Sequence, residues 1–126
     1  MRVAYVDTSC LVAVAFGEAG AAALSRRLNR FDILAASDLL EAELRSAFLR
    51  EGAEFDPALL AGLSWVVPDR PLHSEIARVL AAGYVRGVDC WHLATALYLA
   101  EDSSSMSFLT LDERQADVAR ALGFRA

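Results

Sequence analysis

Lysine is absent from this 126-residue sequence, and all 12 basic residues are arginine. Without lysine there is no Gly-rich phosphate loop closed by Lys, which excludes a P-loop nucleotide hydrolase, and no receiver domain that needs an invariant lysine. No G-x-S-x-G elbow supports a serine hydrolase. Asp7-Thr8-Ser9 lacks the second acid, two residues on, that phosphatases of the haloacid dehalogenase kind use. Long apolar runs are missing too: Cys10 to Phe16 is far short of a spanning helix, and Asp7-Thr8-Ser9 interrupts any signal-peptide core. The expectation is a cytoplasmic protein with no membrane segment.

Cysteine occurs only at Cys10 and Cys90. Each lies in an apolar helical pattern without paired spacing, so buried free thiols are expected rather than a disulfide or a zinc site. The net charge of −5 argues against non-specific nucleic-acid binding. It does not exclude a nuclease, because an acidic metal cage inflates the negative count and a bound cation reverses the local field. The few arginines present fork onto phosphates bidentately. The length suits one domain over residues 1–126. A hydrophobic fraction of 56%, above the usual ~45–50%, leaves apolar surface for a partner.

Along the chain, strand and helix patterns alternate. Val3 to Val6 reads as a buried strand, followed by Asp7, Thr8 and Ser9 as caps for a helix through Leu11-Val12-Ala13-Val14. Ala21 to Leu28 reads as a helix and Phe31 to Ala36 as a strand; Ser37 or Asp38 then caps a helix to Arg50, ended by Gly52. Asp56-Pro57 starts a predicted helix through Leu63, and Trp65 to Val67 a third strand. Leu72 to Ala82 and Val88 to Ala100 read as helices joined by Gly83 to Gly87; Asp102 to Ser105 is a loop. Phe108 to Thr110 is the fourth strand, Asp112 to Leu122 the last helix, and Gly123 its cap. There is no internal repeat. Such alternation implies an α/β fold with a parallel sheet covered on both faces and a ligand crevice at the strands' carboxyl ends.

Four acids stand where apolar segments end or helices begin: Asp7, Glu43, Asp89 and Asp112. Brought together, they suit Mg2+ or Mn2+, hard ions that prefer carboxylate oxygens. Each also has an ordinary reading. Asp7 caps a helix, Asp112 with Gln115 has the capping-box pattern, Asp89 is a first-turn acid, and Glu43 is a solvated helix residue. Jointly they demand more, since each interrupts an apolar context where an unpaired charge is costly. Glu41 and Glu43 flank the stripe Leu40, Leu44, Ala47 and Phe48 on opposite sides, and periodicity does not choose between them. His92 reads as a packed, hydrogen-bonded residue, Trp65 and Trp91 as core rings, and Glu113 and Asp117 as solvated. Arg114 is a candidate phosphate contact and equally a candidate partner of Glu113 or Asp117.

Val6-Asp7-Thr8-Ser9, Glu43-Leu44-Arg45-Ser46-Ala47, Asp89-Cys90-Trp91-His92-Leu93-Ala94-Thr95-Ala96 and Leu109-Thr110-Leu111-Asp112 together resemble the PIN-domain ribonucleases, most of all the small VapC toxins of toxin–antitoxin pairs. The resemblance implies a PIN-like fold, a short central parallel sheet of four or five strands flanked by helices on both faces. It places the metal-binding and catalytic acids at Asp7, Glu43, Asp89 and Asp112, choosing Glu43 over Glu41. Thr8, Ser9 and Thr110 become the supporting hydroxyls. It also implies a Mg2+- or Mn2+-dependent endoribonuclease acting on RNA, commonly a homodimer, neutralised by an antitoxin whose tail covers the site. The competing expectation is a non-catalytic PIN-like interaction module whose acidic pocket binds a basic partner segment. A DNA or structure-specific nuclease would need segments to embrace a duplex that this chain lacks.

Overall fold

Short, mostly apolar runs make the four strands β1 (Val3–Val6), β2 (Ile33–Ser37), β3 (Leu63–Val66) and β4 (Ser107–Leu109), with β1, β2 and β4 largely buried and β3 exposed at Ser64 and Trp65. In the computed structural model, which describes residues 1–126, they form one parallel sheet in the order β3-β2-β1-β4. Tyr5 pairs with Ala35 on one side and Phe108 on the other, so β1 is central. A single bridge between Ser107 and Arg125 extends the sheet beyond β4 without making a full fifth strand.

Strand alternation sends successive side chains to opposite faces. Ala4, Val6, Ala36 and Leu109 pack with Leu11, Leu28, Leu40, Leu44 and Phe48 from α1 (Thr8–Ala15), α2 (Ala21–Leu28) and α3 (Leu39–Arg50). Tyr5, Ala35, Val66 and Phe108 pack with Val79, Leu93, Leu97, Val118 and Leu122, on or adjoining α4 (His73–Ala82), α5 (Gly87–Leu99) and α6 (Glu113–Ala121). Purely parallel sheets require this cover on both faces. Cys10 and Cys90 are buried free thiols, and burial pushes the Cys10 thiol up to about 12.

From β1 the chain builds β2 and β3 to one side and then crosses back to place β4 on the other. The strand order therefore reverses between β1 and β4, where open α/β sheets hold their ligands, beyond the carboxyl ends. Asp7 follows β1 and Asp112 lies just beyond β4 at that point.

Three expectations need correction. The helix expected from Asp56 to Leu63 is one 3-10 turn, Pro57–Leu60, with Asp56 accepting from the Ala58 N–H at 3.0 Å. Leu63 already belongs to β3, because pairing with Leu34 and burial against the α1–α3 side hold it extended. Trp65 lies on an edge strand and is 41% exposed rather than core. Trp91, by contrast, packs against the core as a half-buried ring, with its indole N–H donating to Ser37 Oγ at 3.0 Å. The stretch Asp102 to Ser105 contains a short 3-10 turn, Ser103–Ser105.

Gly123 ends α6 at φ +100°, and a Cβ there would stand 2.5 Å from Ser103 Oγ, which donates to the Leu122 carbonyl. Gly123→Ala is therefore expected to lower stability by about 1–2 kcal/mol for the backbone alone. Gly62→Ala meets nothing within 4 Å and has no left-handed backbone, so it is expected to be neutral or slightly stabilising. Chemical denaturation of the two variants checks the contrast; equal midpoints would contradict it.

Candidate metal and nuclease site

Asp7 stands in extended backbone at the end of β1 and is the N-cap of α1. Its Oδ2 accepts from the Ser9 N–H at 3.2 Å and the Ser9 hydroxyl at 2.6 Å; Thr110 Oγ1 stands 3.2 Å away, its single proton directed to the nearer Gln115 Oε1. Ser9 Oγ in turn accepts the Leu111 N–H, and Thr110 Oγ1 the Asp112 N–H, both at 3.1 Å. The hydroxyls thus tie the end of β1 to the segment leaving β4. Asp7 Oδ1 receives only a long contact from Gln115 Nε2 at 3.5 Å and lies 3.8 Å from His92 Nε2.

Glu43 reaches the same place from the second turn of α3. Its Oε1 accepts from the Thr8 hydroxyl at 2.8 Å and is 2.6 Å from His92 Nε2. Burial raises the Glu43 pKa, but the bonds from His92 and Thr8, with the positive charge of Arg86, outweigh it and hold the carboxyl below its usual range. Glu41, two residues earlier, points away and pairs with Arg45 at 2.8 Å on an exposed face. That separation follows from the roughly 200° between residues i and i+2 on a helix.

Asp89 lies in the first turn of α5 and Asp112 is the N-cap of α6, taking the Gln115 N–H on Oδ1 at 2.9 Å. Both line a cavity of about 200 Å3 with Arg86 and Arg114. Arg86 Nε donates to Asp89 Oδ2 at 3.2 Å. Burial still raises the Asp89 pKa; the charges of Asp7 and Asp112 add to it, against the lowering by Arg86. Helix N-termini at Asp7, Asp89 and Asp112 partly offset this crowding. Arg114 stacks over the Tyr84 ring, 5.5 Å from its centroid, instead of pairing with Glu113 or Asp117. Asp117 is exposed and paired with Arg120 at 2.7 Å, and Glu113 is exposed.

Three residues beyond the motif acids and hydroxyls complete the arrangement. Gln115 is fully buried; its Oε1 accepts from Thr110 at 2.7 Å, and its Nε2 stands 3.5 Å from Asp7 Oδ1 and from the Asp89 carbonyl. The capping-box pattern marked Gln115, but its side chain turns inward instead of back to the cap. Tyr5 and His92 are also fully buried, with Tyr5 Oη 2.6 Å from His92 Nδ1. His92 is packed and hydrogen-bonded, and one of its partners is a motif acid.

The donor chemistry fits a hard divalent cation. Each acid commits one oxygen to the chain's own hydrogen bonds or ion pairs: Asp7 Oδ2, Glu43 Oε1, Asp89 Oδ2 and Asp112 Oδ1. The second oxygen of Glu43, Asp89 and Asp112 takes no hydrogen bond from the protein, and that of Asp7 only the long one from Gln115. No three His, Cys, Asp or Glu side chains are already gathered closely enough to ligate one ion. Like charges repel, and Arg86 is bonded to Asp89.

A group whose folded pKa is raised costs stability above that pKa and costs nothing below its unfolded pKa. Asp89→Asn is therefore expected to raise the melting temperature at neutral pH in chelator. The gain should vanish as pH falls below about 3.9, the ordinary aspartate value. A fall in melting temperature at neutral pH would instead mean that the Arg86 pair outweighs burial.

The family model for the PIN domain matches residues 4–121. The chain is 32% identical to the Ribonuclease VapC46 of Mycobacterium tuberculosis (strain ATCC 25618 / H37Rv) over 126 residues, covering 98% of this chain and 95% of that protein. No solved structure gives a significant match. The family match begins within β1 and ends on the last residue of α6, so it takes in every element of the fold, and the chain belongs to the PIN domain family.

Proposed function

We propose that this chain is a Mg2+- or Mn2+-dependent endoribonuclease that hydrolyses RNA phosphodiester bonds, and that it serves as the toxin of a toxin–antitoxin pair. The observation that carries the metal-centred chemistry is the division of labour within each acid, one oxygen held by the chain and the other uncommitted. The ribonuclease and toxin assignments draw on the family and on the VapC relative.

Asp7, Glu43, Asp89 and Asp112 would hold the cation through their uncommitted oxygens. When bound, a divalent ion supplies a strong Lewis acid that activates water and offsets charge building on the phosphate. The protein's own part is orientation. Ser9 fixes Asp7 through its N–H and hydroxyl, Thr8 and His92 fix Glu43, and the Gln115 N–H fixes Asp112, while Thr110 fixes the Gln115 side chain. Arg86 neutralises Asp89 in the unloaded site and becomes available to a substrate phosphate when it lets go. Arg114, on the cavity rim beside Tyr84, is the second phosphate contact.

The Arg86–Asp89 pair also favours a role in partner binding, because it puts a guanidinium on this acidic cavity. An apolar groove of about 480 Å3 lined by Ile76, Leu80 and Trp91 shares Tyr84 and Val85 with that cavity. An antitoxin segment laying apolar side chains in the groove would reach the acids with an Arg or Lys. A protein that bound such a segment but never cut RNA would be an interaction module. No helix is long and apolar enough to cross a membrane, and a cytoplasmic homodimer is the proposed working form.

With a defined single-stranded RNA and Mn2+, Asp7→Asn and Glu43→Gln are expected to lower the cleavage rate about 10²–10³-fold, the scale of losing one transition-state charge stabiliser. Glu41→Gln should cleave as the unaltered protein does, and chelator should abolish cutting. Equal rates for Glu43→Gln and Glu41→Gln would remove Glu43 from the mechanism. Absence of cleavage in every metal tested would leave the interaction module. Light scattering at high micromolar concentration should give the mass of a dimer; a monomer would contradict self-association.

A further inference from the structure

Tyr5 and His92 are fully buried ionisable residues behind the acids, and the chemistry proposed above does not use them as reactants. Their hydrogen bonds form a line whose direction can be deduced. The Ser37 backbone N–H, which only donates, lies 3.2 Å from Tyr5 Oη. A phenol, whose ordinary pKa is about 10, carries its proton at neutral pH. That proton has one acceptor within reach, His92 Nδ1 at 2.6 Å. With its Nδ1 lone pair taken, the imidazole carries its hydrogen on Nε2, 2.6 Å from Glu43 Oε1.

We infer that Tyr5 and His92 are positioning residues for Glu43: the directed chain Ser37 N–H to Tyr5 O–H to His92 Nε2–H to Glu43 Oε1 holds Oε1 and leaves Glu43 Oε2 as the oxygen that would take a cation.

Both ends of the chain are anchored. Ser37 Oγ accepts the Leu39 N–H and the Trp91 indole N–H, each at 3.0 Å, which fixes the last residue of β2 against α3 and α5. The Tyr5 ring stacks on Phe108 at 5.3 Å with 10° between planes, so the phenol cannot swing. Thr8 donates to the same Oε1, leaving that oxygen saturated and only Oε2 for a ligand. A histidine that merely fills the core needs a partner of any kind. This one is aimed by a backbone amide two residues away in the hydrogen-bond chain.

The inference rests on the reading of Glu43 as a metal ligand, and two measurements separate the two ideas. In the metal-free protein, long-range 1H–15N NMR of the two imidazoles should find His92 with Nε2 protonated and Nδ1 bare; an Nδ1–H pattern overturns the chain. Mn2+ titration by electron paramagnetic resonance then compares variants of the full chain. Glu43→Gln should lose affinity, and His92→Leu should bind about tenfold more weakly, the usual cost of losing a ligand's outer partner. His92→Gln, whose amide N–H replaces Nε2–H, should recover most of that loss. If Glu43→Gln binds like the unaltered protein, the metal reading fails. If Glu43→Gln weakens binding while His92→Leu does not, the positioning role fails and the metal reading stands.

Discussion

Crowding of Asp89 by Asp7 and Asp112, with Glu43 held beside them by His92 and Thr8, is the constraint around which the carboxyl end of the sheet is arranged. Carboxylates gathered beside an apolar sheet lose water and gain like-charged neighbours, and the raised pKa of Asp89 records both effects. The chain answers with donors rather than with buried cations. Backbone N–H groups, Thr8, Ser9 and His92 hold one oxygen of an acid apiece or together, and Arg86 is the one guanidinium bonded to a motif acid.

Parallel topology makes that gathering possible without long insertions. Because β1 is central, with β2 on one side and β4 on the other, Asp7 and Asp112 come from adjacent strands although they are far apart in sequence. α3 and α5 then bring Glu43 and Asp89 from opposite faces of the sheet. The polar layer between them is small. It consists of Tyr5, Ser37, His92 and Gln115, all fully buried, and no buried side-chain polar atom is left without a partner. Such a layer is either fully satisfied or destabilising, so its members constrain one another more tightly than apolar packing alone would.

Much of this was legible in the residues. Apolar strand runs, the caps at Asp7 and Asp112, and the glycine at 123 mark elements whose signals are local. The segment from Asp56 to Leu63 misled because Asp-Pro followed by Ala-Leu-Leu favours a helical start, whereas Leu63 is captured by pairing with Leu34, a partner remote in sequence. Trp65 misled for the same reason: nothing local announces that β3 is an edge. Periodicity put Glu41 and Glu43 on different sides of a stripe without saying which side faced β1, a matter of how α3 docks. The inward turn of Gln115 was hidden because its backbone role as the third residue after a cap is a sufficient explanation by itself.

A crystal structure of the protein grown with Mn2+, with anomalous scattering recorded at the manganese edge, tests the central claim most directly. The account predicts an anomalous peak bound by Glu43 Oε2 and by the uncommitted oxygens of Asp7, Asp89 and Asp112, with Arg86 released from Asp89. No peak among these four side chains, with the Arg86–Asp89 pair intact under saturating Mn2+, would contradict it.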